Sequence, residues 1–166
     1  MIAAFSRLRG LAALATAGSA AVLLAALGFQ FIGGLAPCPL CIWQRWPHVA
    51  AIVLGLAALA LPARAARVTM ALGAVAMLTG AGLGLFHAGV ERRWWTGPTT
   101  CTSGAIDGLS VDALVARIKA APLVRCDEIP WEFAGLSMAG WNAALSLVLA
   151  GVFAAAYASS SASQYR

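Results

Sequence analysis

Charge is what this chain has least of. Its 166 residues include 11 Lys or Arg and 6 Asp or Glu, against 61% hydrophobic residues, and no charge falls between Gly10 and Gln44. A water-soluble domain of this length cannot cover its surface with so few polar groups, so a soluble fold is excluded. Strand-like alternation is missing from the apolar stretches, which are rich in Ala, Leu and Gly. In lipid that composition reads as helix, because each segment must satisfy its own backbone polar groups. No internal repeat and no domain boundary interrupts the chain, so one membrane domain over 1–166 is expected.

Four stretches reach the roughly 17–25 apolar residues that cross a bilayer. They are Leu11 to Ile32, Trp46 to Ala63, Val68 to Val90 and Phe133 to Tyr157. The expected fold is an all-α four-helix membrane bundle with a short first outer loop (33–45) and a long second one (91–132). Arg7, Arg9 and Ala15-Thr16-Ala17 resemble a signal peptide, yet the apolar run continues to Ile32, so a retained span is preferred. Gly80, Gly82 and Gly84 permit close helix contact, and Gly80/Gly84 match the GxxxG spacing.

One side of this topology carries Arg7, Arg9, Arg64, Arg67 and Arg166 and no acid. The other carries all six acids with Arg45, Arg92, Arg93, Arg117, Lys119 and Arg125. Positive charge is densest in the N-terminal arm and in the short Arg64/Arg67 link. The positive-inside rule therefore puts both termini in the cytoplasm and both cysteine-bearing loops outside. Membrane insertion accounts for the basic pI near 9.6, and no nucleic-acid partner is implied. In the long loop, Ser110 can cap a helix through about Lys119, with Val111, Leu114, Val115 and Ile118 on one face. That face suits the membrane surface or the outer ends of the spans equally well.

All four cysteines lie outside the apolar bodies of the spans: Cys38 and Cys41 in Pro37-Cys38-Pro39-Leu40-Cys41, then Cys101 and Cys126. A C-x-x-C pair exchanges disulfides with other dithiols, and its thiolate forms more readily than an ordinary one. Pro39 suits the first position of a helix, which makes Cys38 its cap and puts Cys41 in the first turn. Free N–H groups and the dipole there favour a thiolate. A c-type haem needs His where Ile42 stands, and Cys101 and Cys126 are not spaced as a second zinc knuckle, so no metal is expected. Bridged, Cys101 and Cys126 would close a loop worth roughly 3.5 kcal/mol. Their spacing alone leaves a structural staple and an exchangeable pair both open. An outward location suits either, since disulfides persist there.

Arg45, four residues after Cys41, falls one turn along the same face, where a cation stabilises a thiolate or an anionic acceptor. Snorkelling is its alternative role. His48 and His87 lie near the outer interface, where a lone His is ordinarily a solvated edge residue. His87 can also hydrogen-bond a head group at the mouth of the second span. Trp43, Trp46, Trp94, Trp95, Trp131 and Trp141 read as an interfacial belt. Asn142 reads as an interhelical hydrogen-bonder, and Ser159–Ser163 as a disordered end.

Several pieces together resemble the disulfide-bond formation protein B (DsbB) family. They are Cys38-Pro-Leu-Cys41-Ile-Trp-Gln-Arg45-Trp-Pro, His87-Ala-Gly-Val-Glu91 ahead of Cys101, Cys126-Asp-Glu-Ile-Pro-Trp-Glu-Phe, and Leu136-Ser-Met-Ala-Gly-Trp-Asn. The similarity runs the length of the chain. It implies a bacterial inner-membrane thiol:quinone oxidoreductase that reoxidises a DsbA-like periplasmic thioredoxin-fold protein. It further implies that the partner attacks Cys101 in a Cys101–Cys126 disulfide, that Cys126 passes to Cys38, and that Cys41 is released as a thiolate. Arg45 and His87 match residues that support the quinone. A DsbA-type dithiol near −120 mV needs an oxidant stronger than one at −200 mV, which would lie roughly 4 kcal/mol uphill. Ubiquinone and menaquinone both qualify.

Two other classes compete. A non-enzymatic tetraspan scaffold with two structural disulfides would exchange neither of them. A reductase carrying electrons outward would need cysteines in the spans or on the inner side, and none stands there.

Overall fold

The computed structural model describes residues 2–98, 110–120 and 124–161. Cys101, Pro122 and the end of the serine-rich tail lie outside the described residues. Helix α1 (Ile2–Phe31) ends where the Ile32 and Gly33 N–H groups both donate to Gly28 C=O, at 2.9 and 3.0 Å. Gly34 then takes φ +69°, a left-handed conformation that costs glycine little and turns the chain toward the C-x-x-C. Helix α2 (Pro39–Trp43) and helix α3 (Arg45–Ala60) are joined through Gln44, whose φ and ψ of −65° and −19° remain helical. The two behave as one spanning unit. Pro62 stops it and precedes α4 (Ala63–Glu91).

The close of α4 is a double hydrogen-bonded cap: Trp94 N–H donates to Gly89 C=O at 2.9 Å and Arg93 N–H to Val90 C=O at 3.0 Å. Arg93 holds the left-handed position, φ 59°, that glycine usually fills. Helix α5 (Val111–Ala120) follows in the long loop, and Ser110 Oγ accepts the Ala113 N–H at 3.4 Å, as expected of its cap. Val111 and Val115 are exposed.

The fourth span begins later than expected. Strands β1 (Glu132–Phe133) and β2 (Leu136–Ser137) pair antiparallel, and helix α6 (Met138–Ser161) starts only after them. Ala134 and Gly135, at φ 51° and 77°, form the tight turn, and paired positive φ values match the twist of a two-residue hairpin. Hydropathy alone merged Phe133 into the span because the hairpin is itself apolar. The second and third spans start earlier than expected, at Pro39 and Ala63. Arg64 and Arg67 are thereby taken into the first turns of α4, and the Arg67 guanidinium lies over the Tyr157 ring, 4.5 Å from its centre. Ser159, read as part of a disordered end, is helical, and its hydroxyl donates to Ala156 C=O at 2.8 Å.

Among the described residues, four helices are long and apolar enough to cross a membrane. Helix α4 packs against α6 and α3, and α1 against α3 and α6, which closes a ring of four. The interior is made of small or slender side chains, including Ala12, Ala51, Ala58, Met70 and Met77, with Phe153 the largest. Larger apolar side chains such as Leu24, Val53, Leu72, Leu85 and Val148 point outward. Apolar groups outside and small ones inside suit a lipid solvent, where association depends on close packing.

The glycine spacing has an uneven outcome. A Cβ at Gly84 would lie 2.8 Å from Ala143 N and 2.9 Å from Ala139 O, so the α4 and α6 backbones meet there. At Gly80 the nearest atoms are side-chain atoms, Pro47 Cβ at 3.2 Å and Ser146 Oγ at 3.3 Å. Gly82 faces open space. Gly84→Ala is therefore expected to destabilise the bundle by about 1–3 kcal/mol, and Gly82→Ala to be neutral or stabilising by up to about 1 kcal/mol. Thermal or SDS-induced unfolding in detergent separates the two, and equal effects would contradict the packing described.

Candidate functional site

Pro39 at the first helical position leaves the early N–H groups of α2 without intrahelical partners. Cys38 caps that end: its Sγ accepts the Cys41 N–H at 3.2 Å. The Cys38 and Cys41 sulfurs are 2.8 Å apart and neither is in a disulfide. The hydrogen bond between Cys38 and Cys41, reinforced by burial, pushes the Cys38 thiol above its ordinary range.

Cys126 lies in the same buried cluster as Cys38, Leu40 and Val90. It is fully buried and disulfide-bonded. The sulfurs of Cys38 and Cys126 and a ring nitrogen of His87 lie within 4.8 Å of one another. Such a trio can suggest a metal, but with one sulfur held in a disulfide it offers two ligands where a structural zinc takes four. Beside Cys126, Arg125 grips Asp127 through two hydrogen bonds of 2.9 and 2.6 Å, and this pairing holds the Asp127 carboxyl below its usual range.

Both histidines are buried, which corrects the expectation of solvated edge residues. His87 Nδ1 accepts from Gln44 Nε2 at 2.7 Å, and its Nε2 lies 3.6 Å from Cys38 Sγ and 3.9 Å from Glu91 Oε1. His48 Nε2 is 2.9 Å from Asn142 Oδ1 and 3.5 Å from Ser146 Oγ. Asn142 donates in turn to Gln44 Oε1 at 2.8 Å, so its expected interhelical role is met by α3 and the α2–α3 junction. Glu91 Oε2 accepts from Ser137 Oγ, and that hydroxyl oxygen accepts the Gly140 N–H at 3.2 Å, tying the start of α6 to the end of α4.

Next to this network is a cavity of about 290 Å³, near the lower end of small-molecule sites. Cys41, Gln44, Arg45, His48, His87 and Glu91 contribute to its lining. Val22, Ala26, Phe29, Leu35 and Leu145 supply apolar wall. Trp131 and Trp141 also line it, and a run of rings links them: Phe29–Trp131 at 5.1 Å, Trp131–Phe133 at 6.1 Å and Phe133–Trp141 at 6.2 Å. Trp43, Trp46, Trp94 and Trp95 are exposed, as a belt requires. Arg45 donates from a terminal nitrogen to Gln30 Oε1 at 2.7 Å. Its Nε, and Nδ1 of His48, are buried without a hydrogen-bond partner among the described residues.

Of the expected site residues, Cys38, Cys41, Arg45 and His87 converge here with Cys126, while Cys101 falls outside the described residues. Glu91, Gln44, Gln30, Trp131 and Trp141 were not read as site residues. The i, i+4 spacing of His87 and Glu91 was a usable signal for one of them. Gln30, a lone polar residue in a charge-free apolar run, was another.

Fold and site together define a helical, multi-pass membrane protein carrying a dithiol at a helix N-terminus beside an apolar cavity. The sequence model of the family described as Disulfide bond formation protein DsbB matches residues 8–156. The chain is 38% identical to Disulfide bond formation protein B of Methylococcus capsulatus over 137 residues, covering 74% of this chain and 77% of that one. It is 32% identical to the protein of the same name from Polaromonas naphthalenivorans over 142 residues, 81% of each chain. No solved structure gives a significant match. The chain belongs to the DsbB family: it is a membrane oxidoreductase of disulfide-bond formation.

The amide network has a measurable consequence. Asn142→Leu would leave Gln44 Oε1 buried without its donor and His48 Nε2 with only the longer contact to Ser146 Oγ. A loss of about 1–3 kcal/mol is expected, read as a lowered thermal midpoint in detergent; an unchanged midpoint would contradict the network.

Proposed function

We propose that this protein is a thiol:quinone oxidoreductase that reoxidises a DsbA-like dithiol protein and passes the electrons to a membrane quinone. The carrying observation is that one pair of sulfurs, Cys38 and Cys41, borders both Cys126 and an apolar, ring-walled cavity.

The cavity suits a quinone on this chain's own residues. Its wall is apolar and aromatic, and two of its polar residues have buried atoms to spare, a donor at Arg45 Nε and an acceptor at His48 Nδ1. A quinone, when bound, supplies an acceptor for two electrons and two protons. Arg45 would hold it and Cys41 would face it.

In this reading a partner thiolate attacks Cys101 in a Cys101–Cys126 disulfide. A partner–Cys101 bond forms and Cys126 leaves as a thiolate. Cys126 then attacks Cys38 of a Cys38–Cys41 disulfide, forming Cys38–Cys126 and releasing Cys41 at the cavity wall. The second partner thiol displaces Cys101, and the partner leaves oxidised. The two electrons and two protons it gave up match what the quinone takes. The apolar outer faces of the four helices, and the arginines Arg64 and Arg67 at the start of α4, support an inner-membrane location with cysteine loops periplasmic and termini cytoplasmic.

The test is quinone reduction by purified protein with a reduced DsbA-like donor, followed optically with ubiquinone and menaquinone analogues. Cys101→Ala should abolish turnover, and Cys126→Ala should accumulate a mixed disulfide through Cys101. A trap on Cys38 instead would reverse the order of the relay, and no quinone reduction by the native protein would overturn the reading.

Arg45 gives a second measurement. Arg45→Met keeps the apolar stem and removes the charge, so kcat/KM for quinone should fall roughly 10- to 150-fold, mainly through KM. Arg45→Lys should recover part of the loss. Unchanged kinetics in Arg45→Met would return Arg45 to the role of an interfacial anchor.

A further inference from the structure

The hydrogen-bond chain that ends on His87 has a direction. Gln44 uses both of its amide N–H groups, one on Leu40 C=O at 3.2 Å and one on His87 Nδ1 at 2.7 Å. Its Oε1 accepts from Asn142 Nδ2 at 2.8 Å, and Asn142 Oδ1 faces His48 Nε2 at 2.9 Å. In this orientation every amide oxygen has a donor and every partnered N–H an acceptor. Turning Gln44 over would set its oxygen against the Leu40 carbonyl and its NH₂ against the NH₂ of Asn142. One ring nitrogen of His87 is therefore spoken for as an acceptor. A neutral imidazole whose Nδ1 accepts carries its proton on Nε2.

The ring N–H of His87 lies where Cys126 and Cys38 meet, sharing the Cys126 backbone carbonyl as an acceptor with the neighbouring sulfurs. Cys38 Sγ is 3.6 Å away, Glu91 Oε1 is 3.9 Å away, and Cys126 Sγ belongs to the same 4.8 Å cluster. With the thiol:quinone reading as its basis, we propose that His87 donates a hydrogen bond to the Cys38 and Cys126 sulfurs while the two cysteine pairs exchange. Gln44 is the positioning residue that holds His87 in the required tautomer. His87 then acts at the sulfurs, which differs from the quinone-supporting role that the family resemblance implies for it.

The step concerned is redox-neutral. Cys41 thiolate attacks Cys38 Sγ, the Cys38–Cys41 bond forms, the Cys38–Cys126 bond breaks, and Cys126 leaves as a thiolate. The reverse step starts from that same Cys126 thiolate. One disulfide replaces another and one negative charge moves between sulfurs. A neutral imidazole that gave up its proton would become an imidazolate, so His87 keeps its proton and stabilises the charge through a charge-assisted hydrogen bond. Gln44 touches no sulfur in this account; its effect is carried by the ring.

The chain contains two histidines, which makes the tautomer directly observable. In ¹⁵N-histidine-labelled protein without quinone, His87, assigned by comparison with His48→Gln, should show Nε2–H and a bare Nδ1. Gln44→Glu, nearly isosteric but without N–H donors, should move the proton to Nδ1 or yield imidazolium. Exchange is followed in the same quinone-free protein by adding reduced donor, quenching with acid and mapping the Cys38–Cys126 peptide. His87→Gln, whose amide nitrogen can occupy the Nε2 position, should keep the rate within about threefold. His87→Asn, which reaches only the Nδ1 position, should lose about 10- to 100-fold.

An Nδ1–H tautomer in the native protein would overturn the proposal, and that measurement holds even if a His87 variant fails to fold. Equal exchange rates in His87→Asn and native protein would overturn it while leaving the thiol:quinone reading intact. Failure of the native protein to form any Cys38–Cys126 bond would remove the reading and the proposal together.

Discussion

Polar side chains inside a bundle whose outer faces are apolar must find their partners within the protein, because lipid offers none. The amide of Gln44 is where that constraint concentrates. It sits at the α2–α3 junction and joins His87 of α4, Asn142 of α6 and the carbonyl of Leu40. Three helices are thus held in register by one side chain. The position of the C-x-x-C relative to His87, and of Arg45 and His48 relative to the cavity, depends on that junction. A slip of one turn along α3 or α4 would leave several buried groups unpaired at once.

Small residues make the arrangement affordable in space. Close contact of α4 and α6 at Gly84 lets the ends of these helices converge, so Glu91 reaches Ser137 and the hairpin packs over the outer end of the bundle. Arg92 bonds the Gly135 carbonyl at 2.8 Å and Trp141 bonds that of Phe133 at 2.9 Å, fixing the hairpin to both helices. The rings of Trp131 and Trp141 thereby become cavity wall. The same bundle that resists water on its outside collects its polar chemistry at one end.

The dithiol gains its character from local geometry. Cysteine is an unusual helix cap, and as one Cys38 accepts from the Cys41 backbone while its sulfur stands against that of Cys41. The sulfurs stand about 0.8 Å beyond the length of a disulfide bond of roughly 2.0 Å. Oxidation and reduction of the pair then demand little rearrangement of the helix that carries it.

Much of this protein could be read from its residues alone. Scarcity of charge and four apolar runs sufficed for the bundle, because a bilayer leaves a chain few alternatives. Proline after Cys38 sufficed for the cap and for Cys41 in the first turn, since both are consequences of local backbone chemistry. The i, i+4 step from Cys41 to Arg45 placed both on the cavity side. Hairpin residues Phe133 to Ser137 fall inside the expected span because hydropathy does not register two positive φ values in succession. What the sequence could not determine was the meeting of distant groups. Gln44 with His87 and Asn142, Glu91 with Ser137, and Cys126 with Cys38 are joined only by the packing of helices far apart in the chain. A buried hydrogen bond between such groups has no local spacing to announce it, so their partners were decided by the tertiary structure.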